Sequence, residues 1–295
     1  MSVNETETAA QGRLELGLAG EGALRWAVVN VTDVVEEARE RLDLSPVAAA
    51  ALGRSLAAAA LLLRMSTKTP TRLVLEVRGD GPLGRVLAEV DQDGNLRGMV
   101  GNAHVDLPPT PAGKLDVGAA VGSGFLRVLR EHEGGSYHSQ VELVSGEIGD
   151  DVAHYLEQSE QSRSAVLLGV LAKPSGIAAA GGMIIEVLPG APDEVVQQLE
   201  SNIAGTIGVS HLVEAGGIPY VVDTLLAGMD RTVKETRPLR FRCRCSRERL
   251  LHHLILLSTD DKDHLSEEDG SIEADCVFCG AHYRFATEEL NPRPN

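Results

Sequence analysis

Residues 72–100 read RLVLEVRGDGPLGRVLAEVDQDGNLRGMV, and their period decides the fold class. Leu73, Leu75 and Val77 alternate with Val74, Glu76 and Arg78, the two-residue period of a strand with one face in a core. Arg85 to Val90 follows after a turn, and Asp91-Gln92-Asp93-Gly94-Asn95 supplies a second reversal before Leu96 to Val100. Successive strands joined by tight turns make an antiparallel meander. The first turn, Gly79-Asp80-Gly81-Pro82-Leu83-Gly84, also satisfies G-x-G-x-x-G. A dinucleotide site needs a helix N-terminus behind such a turn, aimed at the pyrophosphate. Another strand follows instead, so the glycines read as a tight β-connection.

Upstream, Pro46 to Leu63 is the most apolar stretch of the chain. Gly53, Arg54 and Ser55 interrupt it and Ala dominates, which disfavours a bilayer span. Ser45 as N-cap and Pro46 at the first helical position predict a buried core helix ending near Met65. Leu24 to Thr32 reads as a strand and Asp33 to Arg41 as a short helix. Downstream, Gly124 to Leu129 and Ser139 to Val144 read as strands, Gly146 to Gln158 as a helix, and Ala165 to Leu171 and Met183 to Leu188 as strands again. Strands and helices without regular βαβ alternation predict an α+β body over residues 12–189, mainly antiparallel, with packed helices. Residues 1–11 read as a disordered tail. Val195, Val196, Leu199 and Ile203 have helical spacing, and His211 to Met229 is a weaker apolar segment broken by Gly216-Gly217 and Pro219. Residues 190–238 are therefore expected to be a helical linker of modest burial. It ends in the polar run Arg231 to Pro238, before a small module at 239–295.

Composition narrows the function classes. Aromatic residues are only 3%, too few for base-stacking platforms, and 43 acidic against 27 basic residues leave a net charge of -16. That charge repels phosphate backbones and acidic lipid, so neither nucleic acid nor membrane is an expected partner. The start of the chain carries no basic-then-apolar leader pattern, and a cytoplasmic setting is expected. Glu147, Asp150 and Asp151 gather near a helix start. Acids there ordinarily complement the helix dipole, and no catalytic constellation emerges from spacing.

The four cysteines carry the strongest signal. Cys243-Arg244-Cys245 and Cys276-Val277-Phe278-Cys279 are separated by 30 residues, a pattern that supplies four thiolates to a tetrahedral zinc ion. Leu239, Phe241, Cys243 and Cys245 fall on one face of an extended segment, while Ile272, Ala274 and Cys276 alternate with Glu273 and Asp275. Ser246 to Leu257 reads as a helix, followed by an acidic loop through Asp269-Gly270. His252 and His253 stand beside the first pair. A module of about 50 residues with few apolar side chains needs a staple. The residues leave two uses open: permanent structural zinc, or a labile site. Arg240, Arg242, Arg244, Arg247 and Arg249 crowd the first pair with positive charge, which favours thiolate. Accessible thiolates are oxidisable, and their oxidation would expel the metal and unfold the module.

The chain resembles the thirty-three-kilodalton chaperonin family, the redox-regulated heat-shock holdases of bacteria, over nearly all of residues 20–290. Its most specific part is Phe241 to Phe285, with both cysteine pairs at the family separation, Cys245-Ser246-Arg247-Glu248-Arg249, and Tyr283 and Phe285. Leu44-Ser45-Pro46, Ala51-Leu52-Gly53-Arg54, Val121-Gly122-Ser123-Gly124, Ser145-Gly146-Glu147-Ile148, Tyr155, Ser159-Glu160-Gln161, Gly181-Gly182 and Leu188-Pro189-Gly190 match as well. The resemblance implies a non-enzymatic chaperone whose reduced form holds one zinc through Cys243, Cys245, Cys276 and Cys279 and is inactive. It implies that oxidation pairs Cys243 with Cys245 and Cys276 with Cys279, releases zinc, unfolds the module and loosens the linker. A homodimer that binds unfolding clients without ATP is the implied product. Leu42, Glu186 and Ser258 to Asp263 depart from the family pattern, and none of them is a ligand. The alternatives are a thiol-disulfide oxidoreductase using Cys276 and Cys279, which needs that pair to begin a helix, and a zinc-ribbon binding module.

Overall fold

A computed structural model describes residues 12–290 except Thr67, Thr69 and 267–269. The expected tail at 1–11 and part of the expected acidic loop lie outside the described residues. The chain divides into two compact units, 1–241 and 242–295.

The first unit begins with β1 (Gly12–Ala19) and β2 (Leu24–Asn30), then α1 (Thr32–Leu42) and α2 (Pro46–Met65). The meander is β3 (Arg72–Gly79), β4 (Arg85–Asp91) and β5 (Asn95–Val100). After the short α3 (Val117–Val121) come β6 (Gly124–His132), β7 (Gly135–Glu142), α4 (Gly149–Glu160), β8 (Ser164–Lys173) and β9 (Gly176–Val187). The unit closes with α5 (Asp193–Ala204), α6 (Val209–Leu225) and β10 (Arg231–Phe241). Ten strands form one sheet in the order β7-β6-β3-β4-β5-β10-β1-β2-β9-β8. Every pairing is antiparallel except a short parallel seam between β10 and β5, where Arg240 meets Asn95 and Phe241 meets Leu96. The α+β expectation is met.

Helix α2 begins where its signals place it. Pro46 is its first residue, and the Ser45 hydroxyl accepts from the Ala48 N–H. It is long and apolar enough to cross a membrane, yet 89% of that apolar window is buried inside the protein. It packs on β3, β4 and β5 from one half of the sheet and on β2, β8 and β9 from the other. Close approach requires small residues, so Ala dominates: Ala48 to Ala51 and Ala57 to Ala60 are all buried. With Leu73, Leu75, Val77, Ala88 and Val90 they make the main core.

Several expectations are corrected. Gly12 to Ala19, not anticipated as a strand, is β1, and β9 runs from Gly176 rather than Met183. The polar run Arg231 to Pro238, expected as the end of a linker, lies in β10, between β1 and β5. Gly94 admits that strand: a Cβ there would lie 2.3 Å from the Pro238 carbonyl oxygen, and its φ is +80°. The helical segment expected to be little buried makes a second core. Trp26, Val28, Met183 and Ile185, on the sheet face away from α2, meet Leu199 of α5 and Leu212, Val221 and Leu225 of α6. The kink in α6 falls at Gly216 and Gly217, as their composition indicates.

The second unit holds α7 (Arg247–Ile255), α8 (Thr259–Leu265) and the hairpin β11 (Ser271–Asp275) and β12 (His282–Ala286), then a single 3-10 turn at Thr287–Leu290. Part of the expected acidic loop is α8, because Ser258 caps it by accepting from the Asp261 N–H. Among its described residues, Ile272, Phe285 and Leu290 make the buried apolar cluster, with Leu250, Leu251 and Leu254 of α7 against them.

Candidate metal centre

Cys243 and Cys245 lie in the extended segment before α7, whose start is fixed by the Ser246 hydroxyl accepting from the Arg249 N–H. Cys276 and Cys279 lie in the turn joining β11 to β12. There the Cys276 carbonyl accepts from the N–H groups of Cys279 (3.2 Å) and Gly280 (2.8 Å), and the Cys276 N–H donates to Ala281 O. Gly280 sits at φ +66°, the left-handed conformation this reversal needs.

The two segments bring all four sulfurs together. Cys243 Sγ lies 3.6 Å from Cys276 Sγ and Cys245 Sγ lies 3.4 Å from Cys279 Sγ. All four lie within 4.8 Å of one another. Sulfurs at about 2.3 Å from a tetrahedral zinc are about 3.8 Å apart, so the donor set fits that ion, and the four cysteines could hold a metal. With all four sulfurs this close, proximity alone selects no disulfide pairing. Cys279 is buried and the other three are half-buried.

Electrostatics point the same way. Partial burial works against ionisation of Cys243, but the Cys245 N–H and the Cys245, Cys276 and Cys279 thiols hydrogen-bond to it and bring it down to about 7. Burial, reinforced by side-chain hydrogen bonds with Cys243 and Cys245, pushes Cys276 and Cys279 up. Four thiolates in one place require a cation. Two of the arginines have partners of their own: Arg247 binds Glu289 and the Arg284 carbonyl, and Arg249 binds the Arg244 carbonyl. They fasten the module around the sulfurs. His252 and His253 are exposed on α7, outside the cluster.

One neighbour was not legible as part of the site. The Tyr283 hydroxyl lies 3.2 Å from Cys245 Sγ, and this hydrogen bond, with burial, pushes Tyr283 up to about 12. Its signal was its place in β12, two residues before the buried Phe285.

Other motifs prove structural. Cβ atoms at Gly79 and Gly81 would lie 1.9 Å and 2.5 Å from carbonyl oxygens of α3, so these glycines admit a neighbouring backbone. Asp151 is fully buried, and its carboxylate accepts from the N–H groups of Val144, Ser145, Gly146 and Ile148. Glu147 pairs with Arg54, and Asp150 accepts from the Ser145 hydroxyl. Among the departures, Glu186 accepts from Arg25 and Ser162, and Leu42 packs on the main core. The Cys276–Cys279 pair occupies a hairpin turn rather than a helix start, which withdraws the setting the oxidoreductase reading required.

Comparison with known proteins agrees with the sequence resemblance. A family model described as Hsp33 protein matches residues 13–286. A 33 kDa chaperonin of Thermus thermophilus is 45% identical over 291 residues, covering 95% of this chain and 85% of its own. A 33 kDa chaperonin of a Nostoc species is 46% identical over 277 residues, 92% of each chain. The crystal structure of the 33 kDa chaperonin, a heat shock protein 33 homolog, from Thermotoga maritima superposes with a TM-score of 0.87 at 34% identity. It covers 95% of this chain and 96% of that one.

Proposed function

Since the chain belongs to the Hsp33 family, we propose that it is a cytoplasmic, ATP-independent holdase governed by the oxidation state of its four cysteines. The observation that carries this reading is four sulfurs within 4.8 Å in a unit whose buried apolar cluster, among the described residues, is Ile272, Phe285 and Leu290. In the reduced protein Cys243, Cys245, Cys276 and Cys279 hold one zinc, which supplies the staple the small core lacks. Metal-coupled folding of such modules is worth about 10–16 kcal/mol.

Oxidation removes the donors. Each disulfide gives two electrons to the oxidant, and a disulfide sulfur no longer carries the charge that binds a cation. By family resemblance, Cys243 pairs with Cys245 and Cys276 with Cys279. Residues 242–295 then lose their order, α5 and α6 loosen from the sheet face they cover, and the body dimerises and offers that apolar surface to unfolding clients. The net charge of -16 keeps such a protein dispersed while that surface is open.

The test is a single oxidation time course with peroxide and mild heating, following zinc release by a chromogenic chelator and light scattering from a heat-denatured test protein. We expect one zinc per chain to leave as scattering is suppressed. Zinc release without suppression would overturn the switch.

A further inference from the structure

Resting on the switch proposed above, we propose that Tyr283 is a positioning residue that restrains Cys245 and so sets how readily oxidants trip the cluster. Tyr283 and Cys245 come from segments 38 residues apart, and the fold places the hydroxyl 3.2 Å from the sulfur. That placement is built in. Tyr283 pairs with Ala274 across the hairpin, and its ring stacks on Phe285 at 6.5 Å between centroids and 25° between planes. Phe285 is fully buried, under the Arg247 guanidinium. The tyrosine ring is therefore clamped between strand pairing and the module's core.

A metal-held thiolate has only its lone pairs to offer, so Tyr283 is the donor when Cys245 is ionised. Donation to a ligand sulfur withdraws electron density from the pair that would attack an oxidant. Partners of this kind tune metal ligands by about 10–100-fold in affinity or activity. The affected step is defined for a peroxide. One thiolate attacks the O–O bond, becomes a sulfenic acid, and the departing hydroxide takes a proton to leave as water. A neighbouring thiolate then attacks that sulfur and displaces a second hydroxide, also protonated to water. Two sulfurs lose one electron each and one peroxide becomes two waters. Hydrogen bonding from Tyr283 slows the first attack wherever Cys245 is the nucleophile, and it leaves Cys276 on the hairpin without this particular restraint.

Tyr283→Phe removes the hydroxyl and keeps the ring. In the full-length zinc-loaded protein, isotope-coded alkylation read by mass spectrometry gives separate peroxide oxidation rates for Cys245 and Cys276. We expect the variant to lose Cys245 about tenfold faster, with a smaller change at Cys276 and faster zinc release. A second readout is independent of reactivity. In cobalt-substituted protein the thiolate-to-metal charge-transfer band moves to longer wavelength when a hydrogen bond to sulfur is lost, and a purely packing role would leave it in place. Unchanged Cys245 rates and an unmoved band in the variant, with wild-type zinc still released by peroxide, overturn the Tyr283 assignment alone. Wild-type protein that keeps its zinc in peroxide overturns this inference and the switch together.

Discussion

At the scale of the residue, polar side chains hold irregular backbone in place, and Glu36 is the clearest example. Its carboxylate accepts from Arg39 at 2.7 and 2.8 Å and from the Ile177 N–H at 2.8 Å, tying α1 to the start of β9. The Arg39 hydrogen bonds, against some opposing burial and with help from Ile177, hold Glu36 below the ordinary carboxylate value of 4.5. A group held down in the folded state stabilises it above its unfolded value, and that contribution disappears as pH falls through the folded value. Thermal melts of Glu36→Gln against wild type should therefore show a deficit of about 0.5–1 kcal/mol at neutral pH, after solvent screening. The gap should narrow as pH drops below 4.5; a deficit independent of pH would mean that Glu36 acts by packing alone. The four cysteines were legible at this scale because thiolates at such spacing have few other uses. Tyr283 was not, because its partner is 38 residues away and only the hairpin register brings them together.

At the scale of the element, α2 was readable almost to the residue, since its cap, its first-turn proline and its long apolar stretch agree. The meander was readable because β3 alternates cleanly. By contrast, β10 is exposed along most of its length, so its own sequence carries no face; its strand character comes from pairing with β1 more than two hundred residues earlier. β1 does carry a face: Leu14, Leu16 and Leu18 alternate with Arg13, Glu15 and Gly17. Gly53, in the middle of α2, shows what the packing demands. A Cβ there would lie 2.7 Å from a Val170 methyl and 2.9 Å from a Val35 methyl. Alanine favours a helix over glycine by about 1 kcal/mol, but valine methyls are stiff and these two belong to β8 and α1. We expect overpacking to win, so that Gly53→Ala lowers stability by about 1–2 kcal/mol. A urea titration checks this through a lower midpoint at unchanged slope; a raised midpoint would show that the neighbours yield.

At the scale of the whole molecule, the two units differ in what holds them together. Residues 1–241 bury two extensive apolar clusters, whereas the described residues of 242–295 bury Ile272, Phe285 and Leu290, beside four cysteines that could hold a metal. Removing the metal from reduced protein with a strong chelator should abolish amide protection across 242–295 while the strands of the first unit stay protected, as read by hydrogen exchange and mass spectrometry. Retained protection in both units would show that the small unit folds without its staple. The two outermost strands of the sheet bear on the proposed role in a different way. Unfolding clients are rich in segments ready to add themselves to any open ladder. β7 meets them with Ser136, His138, Gln140 and Glu142 on one face and no apolar run. β8, which is apolar, has α4 packed on it, and the start of α6 lies so close that a Cβ at Gly169 would touch Ser210 at 3.0 Å. A chaperone built this way can keep aggregation-prone chains in company without becoming the template on which their fibrils grow.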